Sequence, residues 1–339
     1  MKEGQARPVS GVVRAAKRLS ASLVWAIPLA MLAGLVIGVM VDLEPLQALV
    51  LPLTMLMVYP MLVNVKLRAA FGLADARVVG VAMLMNFALL PVVAWLLARA
   101  FFADEPGLFV GMVLAGLFPT SGMTISWTGF AKGNVAAAIK MTVIGLIAAS
   151  LLAPVYLKVL AGRVVPVDLV GVLMTVVLVV AVPLVAAQFT RVVLVSRYGS
   201  ERFGSAIAPV FPGISVLGVL GIVFVAVGLK AQMIVSQPAL LLAIAVPVLA
   251  FYLANFALST LVGRALFVRG DAIALVYGTV MRNLSIALGI AITSFGPEAA
   301  LVLAAGYIVQ VQAAAWYVRL TDRVFGPIAP PVPEAAPGA

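Results

Sequence analysis

The sequence predicts an all-α integral membrane protein in which ten transmembrane helices form two inverted five-helix repeats, with broken helices 4 and 9. Two observations predict membrane insertion: the mean hydropathy is +1.21, and only 10% of the 339 residues are charged. Soluble domains carry about 25% charged residues, so this chain lacks the polar surface that a soluble fold needs. A third observation, polar interruptions in the fourth and ninth apolar runs, predicts the broken helices.

Apolar runs of about 20 residues are long enough to cross the hydrocarbon region of a bilayer. We expect ten such spans, at residues 23–41, 46–65, 78–102, 108–130, 135–161, 168–189, 205–229, 238–262, 273–294 and 298–318. The first run exceeds the apolar core of a secretory signal, about 7–15 residues, and is therefore expected to be retained. A basic segment, 1–22, precedes the spans, and a proline-rich tail, 325–339, follows them and is predicted to be disordered.

The positions of Lys and Arg predict the orientation. If the loops alternate between side one, which holds the N-terminus, and side two, sixteen of the 22 cations fall on side one. Two more lie inside spans, and side two holds only Arg99, Lys158, Arg163 and Lys230. Both termini are therefore expected to be cytoplasmic, in a plasma (inner) membrane protein. The same scatter of cations among short loops argues against a nucleic-acid partner.

The two halves of the chain, 23–161 and 168–321, each contain five predicted spans. An odd number of spans per half forces the second half to be inverted relative to the first, an arrangement that many secondary transporters share. The fourth span of each half carries a polar break. The third span of each half contains the tetrapeptide Asn-Phe-Ala-Leu, at 86–89 and at 255–258.

The break in span 4 lies within GLFPTSGMTISWTGFAKGN, residues 116–134, which crowds hydroxyl groups around a proline. Pro119 has no N–H, and its ring clashes with the carbonyl four residues earlier, so backbone groups are freed where there is no water. These groups and the hydroxyls can line a binding site. Alternatively, the hydroxyls bond back to their own helix around an ordinary proline kink. Trp127 is either an interfacial anchor or a cavity-lining residue.

Away from the span ends, the charged residues within the spans are both cations, Lys140 and Arg282, because the twelve acids lie in loops, in termini or at the first residue of a span. A charge inside a membrane is costly and marks a functional site by default. With no acid in the spans to pair them, both cations need carbonyls, hydroxyls or a bound anion. We expect Arg282 to face an anion. Lys140 either stands in for a coupling cation, carries a proton, or reaches back to the interface.

The absence of Cys and His excludes thiolate nucleophiles, imidazole bases and soft-metal ligands. The sequence therefore predicts no enzyme, no catalytic residue, no cofactor and no metal site. Without a carboxylate in the spans, we expect a proton rather than sodium as the coupling ion.

The stretch 116–134 resembles the fourth span of the arsenite-efflux permeases in the bile acid:sodium symporter superfamily. There a polar break is followed by Met, Trp and an Ala-Lys-Gly-Asp turn, matched here by Met123, Trp127 and residues 131–134. The segments MLMVYPMLVNVK, 55–66, and RNLSIALGIAITSFGPEAALVLAAGYIVQVQ, 282–312, resemble its spans 2, 9 and 10. The resemblance implies a ten-span inverted-repeat fold whose unwound helices 4 and 9 cross at the substrate and ion site.

The chain departs from that family at three positions. The arsenite branch carries a cysteine where this chain has Thr120. The acid that the family carries in span 9, on which the sodium-using members rely, is Ser285 here, and a further acid in span 10 is Gln310. These departures argue against both a thiolate-bound arsenical and sodium coupling.

The sequence thus predicts a secondary active transporter that moves a small oxyanion or organic anion by alternating access, with arsenical efflux as a candidate. Two alternatives stay open: a sodium-coupled uptake symporter for an organic anion, and a non-transporting membrane sensor. A homodimer in the lipid bilayer is also left open. The candidate substrate- and ion-binding residues are Pro119, Thr120, Ser121, Thr124, Ser126, Trp127, Thr128, Lys140, Thr142, Arg282, Asn283, Ser285 and Gln310.

Overall fold

The computed structural model describes residues 23–65, 74–165, 167–236 and 238–327, together with residues 11, 14 and 72. The predictions for the basic segment 1–22 and for the tail beyond residue 327 fall outside the described residues. Within the described ranges every regular element is a helix, so the all-α prediction is confirmed there.

Twelve helices carry the fold of the described residues. They are α1 Leu23–Met40, α2 Glu44–Val63, α3 Ala76–Phe101, α4 Pro106–Leu117, α5 Gly122–Phe130, α6 Val135–Ala161, α7 Val170–Tyr198, α8 Ser200–Leu229, α9 Ala239–Leu266, α10 Arg269–Val280, α11 Leu284–Ile290 and α12 Pro297–Phe325. A π-type turn, Ala291–Phe295, extends α11. A short helix, Ala231–Ser236, lies between α8 and α9.

Eight helical segments in the described part of the chain are long and apolar enough to cross a membrane, with α10 and α11 counted as one. The pair α4 and α5, bent by 57°, makes a ninth. The first predicted span corresponds to a shorter apolar helix, Trp25–Met40. Each predicted run is therefore helical over most of its length, and the protein is a multi-pass membrane protein. Ten crossings remain a prediction.

The helices pack into two groups. The first group, which we call the scaffold group, contains α1, α2, α7 and α8, since α8 packs against α1 and α2, and α7 against α2. The second, the crossing group, contains α3 to α6 and α9 to α12, with α4 packed against α3 and α12, and α9 against α10 and α12. Each group takes corresponding spans from the two halves of the chain, as an internal repeat would produce. The inversion itself remains a prediction.

Candidate functional site: two helix breaks that meet

The first break, Phe118–Ser121, separates α4 from α5. Pro119 ends α4 because it cannot donate the next helical hydrogen bond. Thr120 then adopts a left-handed backbone, with φ 54°, which costs a β-branched residue of the order of 1–3 kcal/mol. Its hydroxyl donates to the carbonyl of Pro119 (2.8 Å) and approaches that of Met141 on α6 (3.4 Å). These contacts hold the strained turn in place.

The second break, Met281–Asn283, separates α10 from α11. Asn283 caps α11, because its side-chain oxygen accepts from the N–H of Ile286 at 3.3 Å. Residues 272–292, which include most of α10 and all of α11, are buried inside the protein. Interruptions are thus present at both positions where the sequence predicts them.

The two breaks lie against each other. The Asn283 N–H donates to the Phe118 carbonyl at 2.8 Å, which joins the backbone of one break to the other. The hydroxyl of Thr124, in the first turn of α5, approaches the Met281 carbonyl at 3.4 Å. We call this meeting point, formed by residues 118–121 and 281–283, the crossing.

Arg282 is fully buried at the crossing. Its Nε donates to the Ala115 carbonyl at 3.1 Å, and Nη2 donates to the carbonyl of Gly116. Nη1 donates to Asn86 Oδ1 at 2.6 Å and to the Thr279 carbonyl at 3.3 Å. All of these acceptors are neutral oxygens, so the positive charge of the guanidinium is not balanced by a carboxylate.

The crossing holds one full positive charge, that of Arg282, and helix ends that carry partial charges of both signs. The carboxyl ends of α4 and α10, which carry partial negative charge, meet the guanidinium of Arg282. The amino end of α5, which carries partial positive charge, begins at Ser121. Ser121 Oγ is buried and faces the N–H of Thr124 in a capping box, but its hydroxyl proton has no acceptor among the described residues. An unsatisfied hydroxyl donor at a helix amino end, near an uncompensated cation, is suited to an anion.

The other predicted residues differ in how close they come to the crossing. Gln310, which is buried, lies 3.5 Å from the Arg282 carbonyl through its Nε2. Ser285 is hydrogen-bonded to the Tyr307 hydroxyl. Thr128 and Thr142 are buried, but each donates to the carbonyl four residues earlier in its own helix, as the alternative of back-bonding predicts. These hydroxyls are therefore already satisfied.

Two of the predicted residues on α5 are not fully buried. Ser126 is exposed, and Trp127 is half-buried, with its ring edge-on to Phe130 at 5.6 Å between centroids. Neither residue makes a hydrogen bond to the crossing in the described structure.

Lys140 lies away from the crossing, and the prediction that it lacks an acidic partner is wrong. Its Nζ is 3.0 Å from Asp75 Oδ2 and also donates to the Ala74 carbonyl. Asp75 precedes α3 in the loop, so the lysine reaches the end of its span, as the interfacial alternative predicts. The Asn134 side chain donates to Asp75 (2.8 Å) and to Asp271 (2.7 Å), which ties two loops to the first turn of α10.

The ion pair of Asp75 and Lys140 is a fixed contact at neutral pH. Two hydrogen bonds hold the pKa of the Asp75 carboxyl below its usual value. The bond from Asn134 has the larger effect, and the bond from Lys140 the smaller. Asp75 is therefore ionised at neutral pH and forms an ion pair with Lys140. Because this ion pair lies in the loop before α3 and not at the crossing, Lys140 is not placed to carry a proton at the site.

The sequence reasoning missed Asn86, which is buried on α3 and contacts both the guanidinium and the Gly278 carbonyl (2.9 Å). Asn255, its counterpart in the repeated tetrapeptide, donates to the Thr279 carbonyl at 2.9 Å. The repeated tetrapeptide could have revealed this residue. An amide that recurs inside a span of both halves must find hydrogen-bond partners in a dry interior. Both asparagines support the backbone of α10 just before the second break.

Gly145 on α6 packs closely against the first break, and replacing it by alanine is expected to destabilise the fold by about 1–3 kcal/mol. The added Cβ would lie 2.8 Å from Thr120 Oγ1 and 3.3 Å from Cγ of Pro119, so the break would have to shift. The midpoint of thermal unfolding measures this effect. Gly80→Ala is the matched control, since its added Cβ meets no atom within 4 Å. Equal midpoints for the two variants would contradict the close packing.

Comparisons with known proteins agree with this architecture. Residues 48–237 match the model of the sodium bile acid symporter family. The chain is 23% identical over 262 residues to the arsenical-resistance protein Acr3 of Corynebacterium glutamicum, covering 74% of this chain and 71% of that protein. It is 26% identical over 238 residues to the uncharacterized protein YbaS of Bacillus subtilis, covering 69% and 75%.

A plant protein is also similar. The probable sodium/metabolite cotransporter BASS2 of Oryza sativa subsp. japonica, a chloroplastic protein, is 29% identical over 180 residues, or 53% of this chain and 41% of that protein. The family match spans more than half of the chain, and the resemblance to the arsenite-permease branch agrees with the names of its relatives. The chain therefore belongs to the sodium bile acid symporter family, and it is a multi-pass membrane transporter.

Proposed function

We propose that this protein is a secondary active transporter that carries a small oxyanion or organic anion through the crossing by alternating access. The observation that carries the proposal is the buried hydroxyl of Ser121 at the amino end of α5, whose proton has no acceptor among the described residues. The uncompensated charge of Arg282 supports it, because that charge raises the affinity of the same region for anions.

Arg282 acts on the anion through its charge rather than by direct contact. The N–H groups of its guanidinium already donate to four protein oxygens, so few donors are left for a solute. The direct contacts are expected to come from Ser121 Oγ and the first N–H groups of α5. Thr120 contributes shape rather than a donor, because its single hydroxyl proton is used within the protein.

Arsenical efflux is a candidate activity, since two relatives are named arsenical-resistance proteins. The chain has no cysteine, so an arsenical would have to be recognised through oxygen atoms instead of a thiolate. Phosphate-like oxyanions and small carboxylates meet the same requirement. We further propose that the protein lies in the plasma (inner) membrane with both termini cytoplasmic, and that a homodimer is compatible with transport but not required for it.

Sodium-coupled uptake of an organic anion is the second candidate, and the names of the family and of the rice relative favour it. The crossing favours a proton-coupled or uncoupled mechanism, because the partners of Arg282 include no carboxylate that could anchor sodium. Flux measured in proteoliposomes with and without a sodium gradient separates the two candidates.

Replacing Ser121 by alanine is expected to weaken anion binding and transport by about 10- to 100-fold, the usual value of a hydrogen bond to a charged group. Thermal-shift screening of the purified protein with oxyanions and small carboxylates identifies the ligand, and titration of both variants gives the affinities. Ser126→Ala is the matched control, because this serine is exposed one turn further along α5. Anion affinity that falls equally in both variants, or in neither, would contradict the proposed site.

A further inference from the structure

Arg282 sits where the ends of two helices expose carbonyl oxygens to a dry interior. Ala115 and Gly116 belong to the last turn of α4, and Thr279 belongs to the last turn of α10. The last carbonyls of a helix have no partner within that helix. Here they converge with the Asn86 side-chain oxygen on one guanidinium.

A convergent set of neutral oxygens at broken helix ends is the environment in which transporters hold small monovalent cations. In an empty site of this kind, the oxygen dipoles would repel one another, and of the four oxygens around Arg282 only the Thr279 carbonyl would keep a donor outside the guanidinium, the Asn255 amide. The site therefore needs a positive charge at all times. In this chain the charge is covalently attached, because Arg282 belongs to the second break itself.

We propose that the Arg282 guanidinium is a tethered cation that takes the place of a mobile metal ion at the crossing. The crossing is then held together without sodium, potassium or lithium, and its folded state is independent of these ions. This inference shares its site with the proposed function. Its own consequence concerns how the stability of the protein responds to cations, and not whether the protein transports an anion.

The exchange of sodium for choline at constant ionic strength tests the proposal on the unmodified protein. The midpoint of thermal unfolding in detergent is expected to be the same in both salts. A higher midpoint in sodium would overturn the proposal, whatever the protein transports.

The variant Arg282→Ala tests the same site from the opposite direction. It is expected to lower the unfolding midpoint by about 10 °C, because a buried cluster of carbonyls loses its cation. Millimolar guanidinium, sodium or lithium is expected to restore at least half of that loss. Destabilisation that no small cation relieves would overturn the proposal.

Two further variants make the result specific. Arg269→Ala also removes an arginine that bonds carbonyls, those of Gly326 and Lys132, but Arg269 lies at the surface beside Asp322. Its loss is expected to show no rescue by guanidinium, and equal rescue would contradict a specific site at the crossing. If Arg282→Ala does not fold, Arg282→Lys keeps the charge and is expected to stay independent of sodium. A lysine variant that requires sodium would count against the tethered cation.

The anion response keeps this proposal separate from the proposed function. Oxyanions are added to the unmodified protein in choline, where stabilisation by an anion reports the anion site alone. If both anions and sodium raise the unfolding midpoint, the transport proposal stands and the tethered-cation proposal is overturned. If neither anions nor sodium change the unfolding midpoint, the tethered-cation proposal stands and the anion site is overturned.

Discussion

Replacing Asn86 by aspartate is expected to weaken anion binding about 30-fold with little change in shape. Asn86 Oδ1 accepts a hydrogen bond from Arg282 at 2.6 Å, so a carboxylate there would form an ion pair with the guanidinium. The crossing would lose its net positive charge. A unit charge that acts over about 7 Å is worth about 2 kcal/mol at an effective dielectric constant near 20, and a loss of that size corresponds to about 30-fold in affinity.

Asn255→Asp is the matched control for this substitution. Asn255 is as deeply buried as Asn86 and also donates to a carbonyl of α10, that of Thr279. Both substitutions remove an amide donor and add a carboxylate, but the acceptor oxygen of Asn255 faces the Ser259 hydroxyl rather than the guanidinium. Anion affinity, measured by titration, should therefore fall far more in Asn86→Asp. Equal losses would mean that the charge of Arg282 does not attract the anion.

The interruptions of both helices were predictable because local chemistry causes them. Pro119 removes a helical hydrogen bond wherever it stands, and a cluster of polar residues in a long apolar run must find partners in any fold. The apolar runs likewise located the helices, because the thickness of the bilayer fixes their length. The ends were less accurate. Span 6 is predicted to end near residue 189, but its helix continues to Tyr198.

That extension and the partners of the buried cations depend on residues far apart in the chain. Beyond residue 189, Arg191 donates to the Val63 carbonyl and lies over the Phe203 ring, contacts that no local pattern encodes. The acceptors of Arg282 on α4 are 166 and 167 residues away in sequence. Lys140 pairs with an acid outside the spans, which a search restricted to the spans excludes. Sequence reasoning could therefore find the charges but not their partners.

A disulfide between Thr175→Cys and Ser294→Cys is expected to abolish transport. The Ser294 hydroxyl donates to that of Thr175 at 2.9 Å, and this contact joins the scaffold group to the crossing group. Two short side chains in hydrogen-bond contact place their Cβ atoms near the separation of about 3.5–4.5 Å that a disulfide needs. The natural chain contains no cysteine, so only the introduced thiols can react.

The position of this contact explains the size of the expected effect. Thr175–Ser294 and the ion pair of Lys230 with Glu298 (2.7 Å) both join the two groups, and both lie at the side-two ends of the helices. At the side-one ends, the hydrogen bonds between side chains of the described residues stay within one group, as in Asp75 with Asn134. The described groups are thus fastened together by polar contacts on side two. Alternating access requires them to separate there during each cycle.

Transport is measured in proteoliposomes after oxidation and again after reduction of the same sample. Gly263→Cys with Ala272→Cys is the control pair, because the Cβ added at Gly263 would lie 3.3 Å from that of Ala272 and both residues belong to the crossing group. This second disulfide joins α9 to α10 and is expected to leave transport intact.

The two disulfides separate the mechanisms that remain open. Transport that stops with the first disulfide and returns on reduction supports parting of the two groups on side two. Transport that continues at full rate through the oxidised Thr175→Cys, Ser294→Cys protein would contradict alternating access between these groups, even if the anion site is correct. A membrane sensor predicts a third result, no flux in either redox state. Because the bond constrains only the relative motion of the groups, loss of flux with retained anion binding identifies that motion as the transport step.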